Sequence, residues 1–142
     1  MKKNYMKYWR VVKYFVRDKY GITTADLEML LFLYDEPYFT KAKFTEFNKV
    51  FSWDRQRFKR LVTNGWVETI RTESKSRLSV YDLTYKAKRA INLIYEILEG
   101  REIGQDKGDM FKSAAGYNDK VYRNMIEEMN EFTRQRRRQA QK

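Results

Sequence analysis

Apolar residues recur at helical spacing through most of the chain. Tyr5, Tyr8, Trp9, Val12, Phe15 and Val16 stand three and four apart over residues 4 to 19, with Gly21 placed to end a helix. Thr23 or Thr24 can cap a second helix carrying Leu27, Leu30, Leu31 and Tyr34, which Asp35, Glu36 and Pro37 stop. Thr40 opens a short segment with Phe44, Phe47 and Phe51, and Ser52 is the next capping candidate. From Trp53 to about Asn64 the period predicts another helix, with Phe58, Leu61 and Val62 inward and Asn64-Gly65 as its stop. At 100° per residue its outward arc falls on Trp53, Gln56 and Arg60, flanked by Ser52, Arg57 and Lys59.

The period then shortens to two or nearly so. Residues 66 to 71 and 78 to 83 are rich in β-branched and aromatic side chains, and the polar stretch 72 to 77 between them predicts a hairpin tip carrying Lys75 and Arg77. Thr84 can cap a long helix with Ala87, Ala90, Ile91, Ile94, Ile97 and Leu98 in one stripe. Four of the six glycines crowd residues 100 to 116, which predicts a connector. Asn118 can cap a last helix bearing Val121, Tyr122, Met125, Met129 and Phe132, ending in the basic run Arg134 to Arg138.

Composition narrows the chemistry. The chain has 142 residues, no His, no Cys and a net charge of +11. It therefore has no thiol or imidazole for a Cys/His zinc site, a Ser-His-Asp triad or a disulfide, and no cofactor or metal is expected. With 16% aromatic residues a real core is expected despite 35% charged ones. Lys7, Arg10 and Lys13 interrupt the apolar positions near the start, so neither a signal-peptide core nor a membrane span is predicted, and the expected location is cytoplasmic. The charge is concentrated: residues 40 to 89 alone carry +8, the pattern of a surface shaped for a polyanion.

The element order, four helices, strand, charged tip, strand and long helix, is that of a winged helix-turn-helix. From Ser52 to Leu98 the chain resembles the MarR-type transcriptional regulators, through Leu61, Gly65, Trp66-Val67-Glu68, Arg77 and Leu83-Thr84 in that order. The resemblance implies a single mainly α protein with a small β-hairpin wing: a winged helix-turn-helix core over 22–99, with 1–21 and 100–142 as N- and C-terminal dimerisation helices and a basic tail. Ala87 replaces a glycine common in the family. Asp54 stands where the family usually has an aliphatic residue, though it suits the first turn of a helix and could pair with Arg57, and Gln56 stands where Arg is frequent.

On a duplex, the first turn of the helix beginning near Ser52 would meet base edges and phosphates first. Gln56 suits a bidentate contact to adenine, and Arg55 or Arg60 suits guanine or phosphate. Trp53 suits a thymine methyl or a sugar. Thr40, Lys41, Ser52, Arg57 and Lys59 complete the candidate DNA-binding set on the helices, and Lys75 and Arg77 would enter a narrow minor groove from the wing. The resemblance further implies a homodimer on a roughly palindromic double-stranded DNA site, with Trp9, Val12, Val16, Leu98, Tyr122, Met125, Met129 and Phe132 near the interface. The bland alternative is that these residues fold back onto their own protomer. A small aromatic effector is a possible ligand by the same resemblance.

No enzymatic activity is expected. Glu73-Ser74-Lys75 resembles half of a metal-dependent nuclease site, with Asp54 as the candidate to complete it, but it falls on a hairpin tip open to water. The favoured expectation is a sequence-specific DNA-binding transcriptional regulator, a dimeric repressor of the MarR type. The alternative is a DNA-architectural or nucleoprotein component with little sequence preference. They separate on the ratio of specific to nonspecific affinity.

Overall fold

A computed structural model of the chain describes residues 4–73, 78–104, 109–112 and 115–141. The element order is α1 (Tyr5–Tyr20), α2 (Thr24–Leu33), β1 (Phe39–Thr40), α3 (Lys41–Asn48), α4 (Arg57–Thr63), β2 (Val67–Glu73), β3 (Leu78–Leu83), α5 (Tyr85–Leu98), a 3-10 turn at Asp109–Phe111, and α6 (Tyr117–Ala140). The chain is mainly α with a small antiparallel sheet in the order β1-β3-β2, a winged-helix arrangement. It divides into two compact units, Thr23–Asn92 and Met1–Ile22 with Leu93–Lys142.

In the Thr23–Asn92 unit, hydroxyl caps set the helix starts. Thr23 accepts from the Asp26 amide, Thr40 from the Lys43 amide and Thr84 from the Ala87 amide. Each satisfies an amide that has no partner within its helix. Leu27, Leu30, Leu33, Phe44, Leu61 and Leu83 are buried, and Phe58 packs edge-on against both Phe44 and Tyr81. This aromatic contact ties α3, α4 and β3 together. β2 pairs with β3 from Val67↔Leu83 to Glu73↔Leu78, with an irregularity between Thr69 and Arg71 that breaks the strict alternation. Phe39 and Thr40 pair with Tyr81 and Val80, a two-residue strand too short to carry a periodic signal.

Several boundaries differ from expectation. α2 ends at Leu33, and Tyr34 is exposed with its hydroxyl donating to Asn92 Oδ1 at 2.7 Å. α4 begins at Arg57 rather than Trp53, Ser52 does not cap it, and Val62 is exposed rather than inward. The cause is Asp54, whose Oδ1 accepts from the Gln56 amide at 2.9 Å and holds residues 54 to 56 in a turn. α6 starts at Tyr117 with Gly116 at its cap, so Asn118 lies inside the helix.

In the other unit, α1 and α6 pack together. Val11, Val12, Phe15, Val16, Ile126 and Met129 are buried. Tyr14 stacks on Tyr122 with centroids 3.9 Å apart, and its hydroxyl bonds to Asp119. Burial and that carboxylate push the Tyr14 phenol up to about 12. Asp18 accepts from the Met110 amide, fixing the 3-10 turn beside α1. Val12, Val16 and Met129 are thus buried within the chain itself, the fold-back alternative, and leave the expected dimer contacts. No helix among the described residues is long and apolar enough to cross a membrane.

Candidate nucleic-acid interface

The charged residues of 52 to 63 separate into two sets. Arg55, Gln56 and Lys59 are exposed, as is Trp53 at 56%. Arg55 and Lys59 form no ion pair with a described residue, so each keeps a solvated, mobile charge. Lys41, at the start of α3, is also exposed, with its ammonium 5.3 Å from the Phe58 ring centroid. Thr40 is half-buried and its hydroxyl is engaged as the α3 cap.

Arg57 lies on the opposite side and corrects the helical-wheel reading. It is 2% exposed, and its Nε donates to Asp26 Oδ1 at 3.1 Å. Its Nη1 donates to Asn48 Oδ1 and, at 3.1 Å, to the Ser52 carbonyl. No face remains for DNA. Within α4 Arg57 stands one turn before the buried Leu61 and shares its face; the outward arc was centred on Trp53 and Gln56, which precede the helix and do not follow its wheel.

Arg60 is intermediate. Its Nε and Nη2 grip Asp26 as a fork, at 2.7 and 2.8 Å, and Nη2 also donates to Asp54 Oδ2 at 2.8 Å. The expected partner of Asp54 was Arg57; the partner found is Arg60. These contacts raise the Arg60 pKa, through Asp26 first and Asp54 second. The Arg60 guanidinium and the Gln56 amide hold the Asp54 carboxyl below its ordinary value. Two arginines and two aspartates therefore form a cluster of zero formal charge that joins α2 to α4 and the turn before it.

Asp26 and Asn48 are the members that the charge pattern alone does not reveal. Asp26 stands four residues before Leu30 and seven before Leu33, on the buried and otherwise apolar face of α2. Asn48 stands four after Phe44 and, at 5% exposure, bridges Arg57 to the Asp54 carbonyl. A polar residue in an apolar stripe is the signal in both cases. Among the described residues no buried side-chain polar atom lacks a partner, so the network is complete.

At the end of α4, Gly65 takes a left-handed φ of +78° and the chain turns into the wing. Lys86 stabilises this corner, with its ammonium 4.0 Å from the Trp66 ring centroid and donating to the Asn64 carbonyl. Lys75, Arg77 and the Ser74-Lys75 part of the nuclease-like triplet lie outside the described residues. Asp54, the carboxylate expected to complete that site, is occupied by Arg60 and the Gln56 amide.

The chain is similar to a solved structure. That structure is the crystal structure of a MarR transcriptional regulator from Methanosarcina mazei Go1, with 21% identity, 89% of this chain and 88% of that chain covered, and a TM-score of 0.47. No protein-family profile matches the sequence, and no curated protein does.

Of the residues expected at a dimer interface, Trp9, Leu98, Tyr122, Met125 and Phe132 keep part of their surface exposed. Leu98 and Phe132, with Tyr5 and Tyr95, line a groove of about 740 Å³ that Arg136 and Arg137 border. Glu102 accepts from both Arg134 and Arg137, so part of the basic run is held to the connector.

Proposed function

We propose that this protein is a sequence-specific, double-stranded DNA-binding transcriptional regulator that acts as a dimeric repressor of the MarR type. The observation that carries this reading is the separation of charge along residues 52 to 63. Trp53, Arg55, Gln56 and Lys59 are exposed on a segment whose other side is anchored through Arg57 and Arg60 to Asp26. A reader of base edges needs such a stiff support, because a side chain on a loose segment loses entropy at each contact.

In this reading Arg55 and Lys59 neutralise phosphates, Gln56 contacts a base, and Trp53 packs on a sugar or a thymine methyl. Lys41 and the wing cations add backbone contacts. Leu98, Met125 and Phe132 belong to the surface that a second copy covers, and a two-fold dimer then reads half-sites about one helical turn apart.

Selection of bound sequences from a random duplex pool tests the whole reading. The expected product is a roughly two-fold symmetric consensus, preferred over random duplex by about 10³ or more at physiological salt. Binding without preference would favour the architectural alternative, and no duplex binding would remove both. Sedimentation of Leu98→Asp tests the dimer: a folded monomer is expected where the unaltered protein sediments as a dimer.

A further inference from the structure

Asp54 is an unusual residue on a surface meant for phosphates, and its partner explains what it does there. A guanidinium has two edges that grip an oxyanion as a fork: the side edge, through Nε and one terminal nitrogen, and the end edge, through Nη1 and Nη2. In Arg60 the side edge is filled by Asp26, whose carboxylate is buried. The end edge is half filled. Asp54 Oδ2 takes one hydrogen of Nη2 at 2.8 Å, and Nη1 makes no hydrogen bond to a described residue. Arg60 is 35% exposed and Asp54 31%, so this end of the pair meets solvent while the Asp26 end does not.

The two carboxylates therefore have different standing. Asp26 fixes Arg60 permanently, since separating them strands a buried charge. Asp54 occupies the edge that a DNA phosphate would otherwise grip, and it is itself held there by the Gln56 amide. A phosphate arriving at Arg60 must displace this resident carboxylate or meet its negative charge.

Building on the DNA-binding reading above, we propose that Asp54 is a positioning residue that sets sequence specificity, by occupying the outer edge of Arg60 and so withholding one phosphate contact from duplexes of arbitrary sequence. On a cognate site, the base contacts of the neighbouring turn supply the free energy that moves Asp54 aside. On random sequence they do not, and Arg60 stays silent. The carboxylate thus lowers nonspecific affinity more than specific affinity, which widens the ratio on which a regulator depends.

The test measures binding of the full-length protein to a mixed-sequence duplex between 50 and 200 mM salt. Asp54→Asn is expected to bind this duplex about tenfold tighter at the low-salt end, with the slope of log affinity against log salt steeper by about 0.9, the value for one added phosphate contact. Asp54→Glu is expected to restore the original affinity and slope by refilling the edge. Removal of a negative charge anywhere nearby would also tighten binding, so the deciding arm is Arg60→Ala. In that background Asp54→Asn is expected to give no added slope. Circular dichroism checks that each variant is folded: the Asp54 variants keep the Arg60 fork on Asp26, and in the Arg60→Ala background Asp26 keeps its bond from Arg57. An unchanged slope for Asp54→Asn, or the same gain with and without Arg60, overturns the proposal while leaving the DNA-binding reading intact. Salt-independent or absent duplex binding by the unaltered protein overturns both.

Discussion

Arg55 and Arg57 are two residues apart, carry the same side chain and have opposite fates. Arg55 is solvated and unpaired among the described residues, whereas Arg57 is enclosed by Asp26, Asn48 and the Ser52 carbonyl. Lys59 and Arg60 differ in the same sense, although Arg60 keeps one edge at the surface. A basic segment is therefore two functional layers: one set of cations builds the platform, and the other is available to a polyanion. Net charge cannot distinguish them, because the inner set is cancelled by Asp26, distant in the chain, and by Asp54 beside it. Only the outer set leaves uncompensated positive charge at the surface of this segment.

The largest effect that would break this comparison is on the inner layer. Asp26→Ala leaves Arg57 buried without its carboxylate and removes the fork on Arg60. It is expected to cost about 3–5 kcal/mol in urea denaturation. A loss within the range of a surface substitution, about 0.5 kcal/mol, would mean that the cluster does not anchor α4.

Next in size is Gln56→Ala in the outer layer. It is expected to cost about 1–3 kcal/mol at one or two base positions of the preferred site and nothing in thermal stability. Equal loss on every sequence would assign Gln56 to the backbone instead. Gly65→Ala follows. A Cβ there meets nothing within 4 Å, so the expected cost, about 1–2 kcal/mol, is that of the left-handed backbone alone. Differential scanning calorimetry checks it, and an unchanged melting temperature would show that the corner after α4 relaxes freely.

The smallest expected effect is in acid. The folded-state pKa of Asp54 is depressed, so its contribution is present above its ordinary value near 4 and is lost as pH falls through the folded value. Stability should therefore fall less steeply with acid in Asp54→Asn than in the unaltered protein. Identical slopes in an acid denaturation series would show that the Arg60 contact gives no net stabilisation.

Elements with a long period were legible from the sequence. The stripe on α5 and the caps at Thr23, Thr40 and Thr84 are where spacing places them, because each is a local device that needs no distant partner. What spacing could not supply was phase after a polar interruption. Asp54 turns the chain through a side-chain bond to the Gln56 amide, and every wheel position counted from Trp53 shifts with it. Without Trp53 and Gln56 to anchor the arc, the buried face of α4 is the one shared by Arg57 and Leu61, and Val62 lies off it. Nor could spacing find β1, whose two residues join the sheet only through their pairing with β3. Val12, Val16 and Met129 show another limit: an apolar stripe reports burial but not its partner, and these three are already buried within the chain itself.

The central claim is that Arg55 and Lys59 meet a duplex of any sequence, whereas Arg57 meets none and Arg60 is withheld from all but a cognate one. Affinity of the Arg55→Ala/Lys59→Ala double variant, followed against salt from 50 to 200 mM, tests it most directly. The expected result is a folded protein of unchanged melting temperature whose log–log salt slope is shallower by about 1.8, two phosphate contacts at about 0.9 each. A double variant that binds duplex DNA with the same affinity and slope as the unaltered protein would contradict the account.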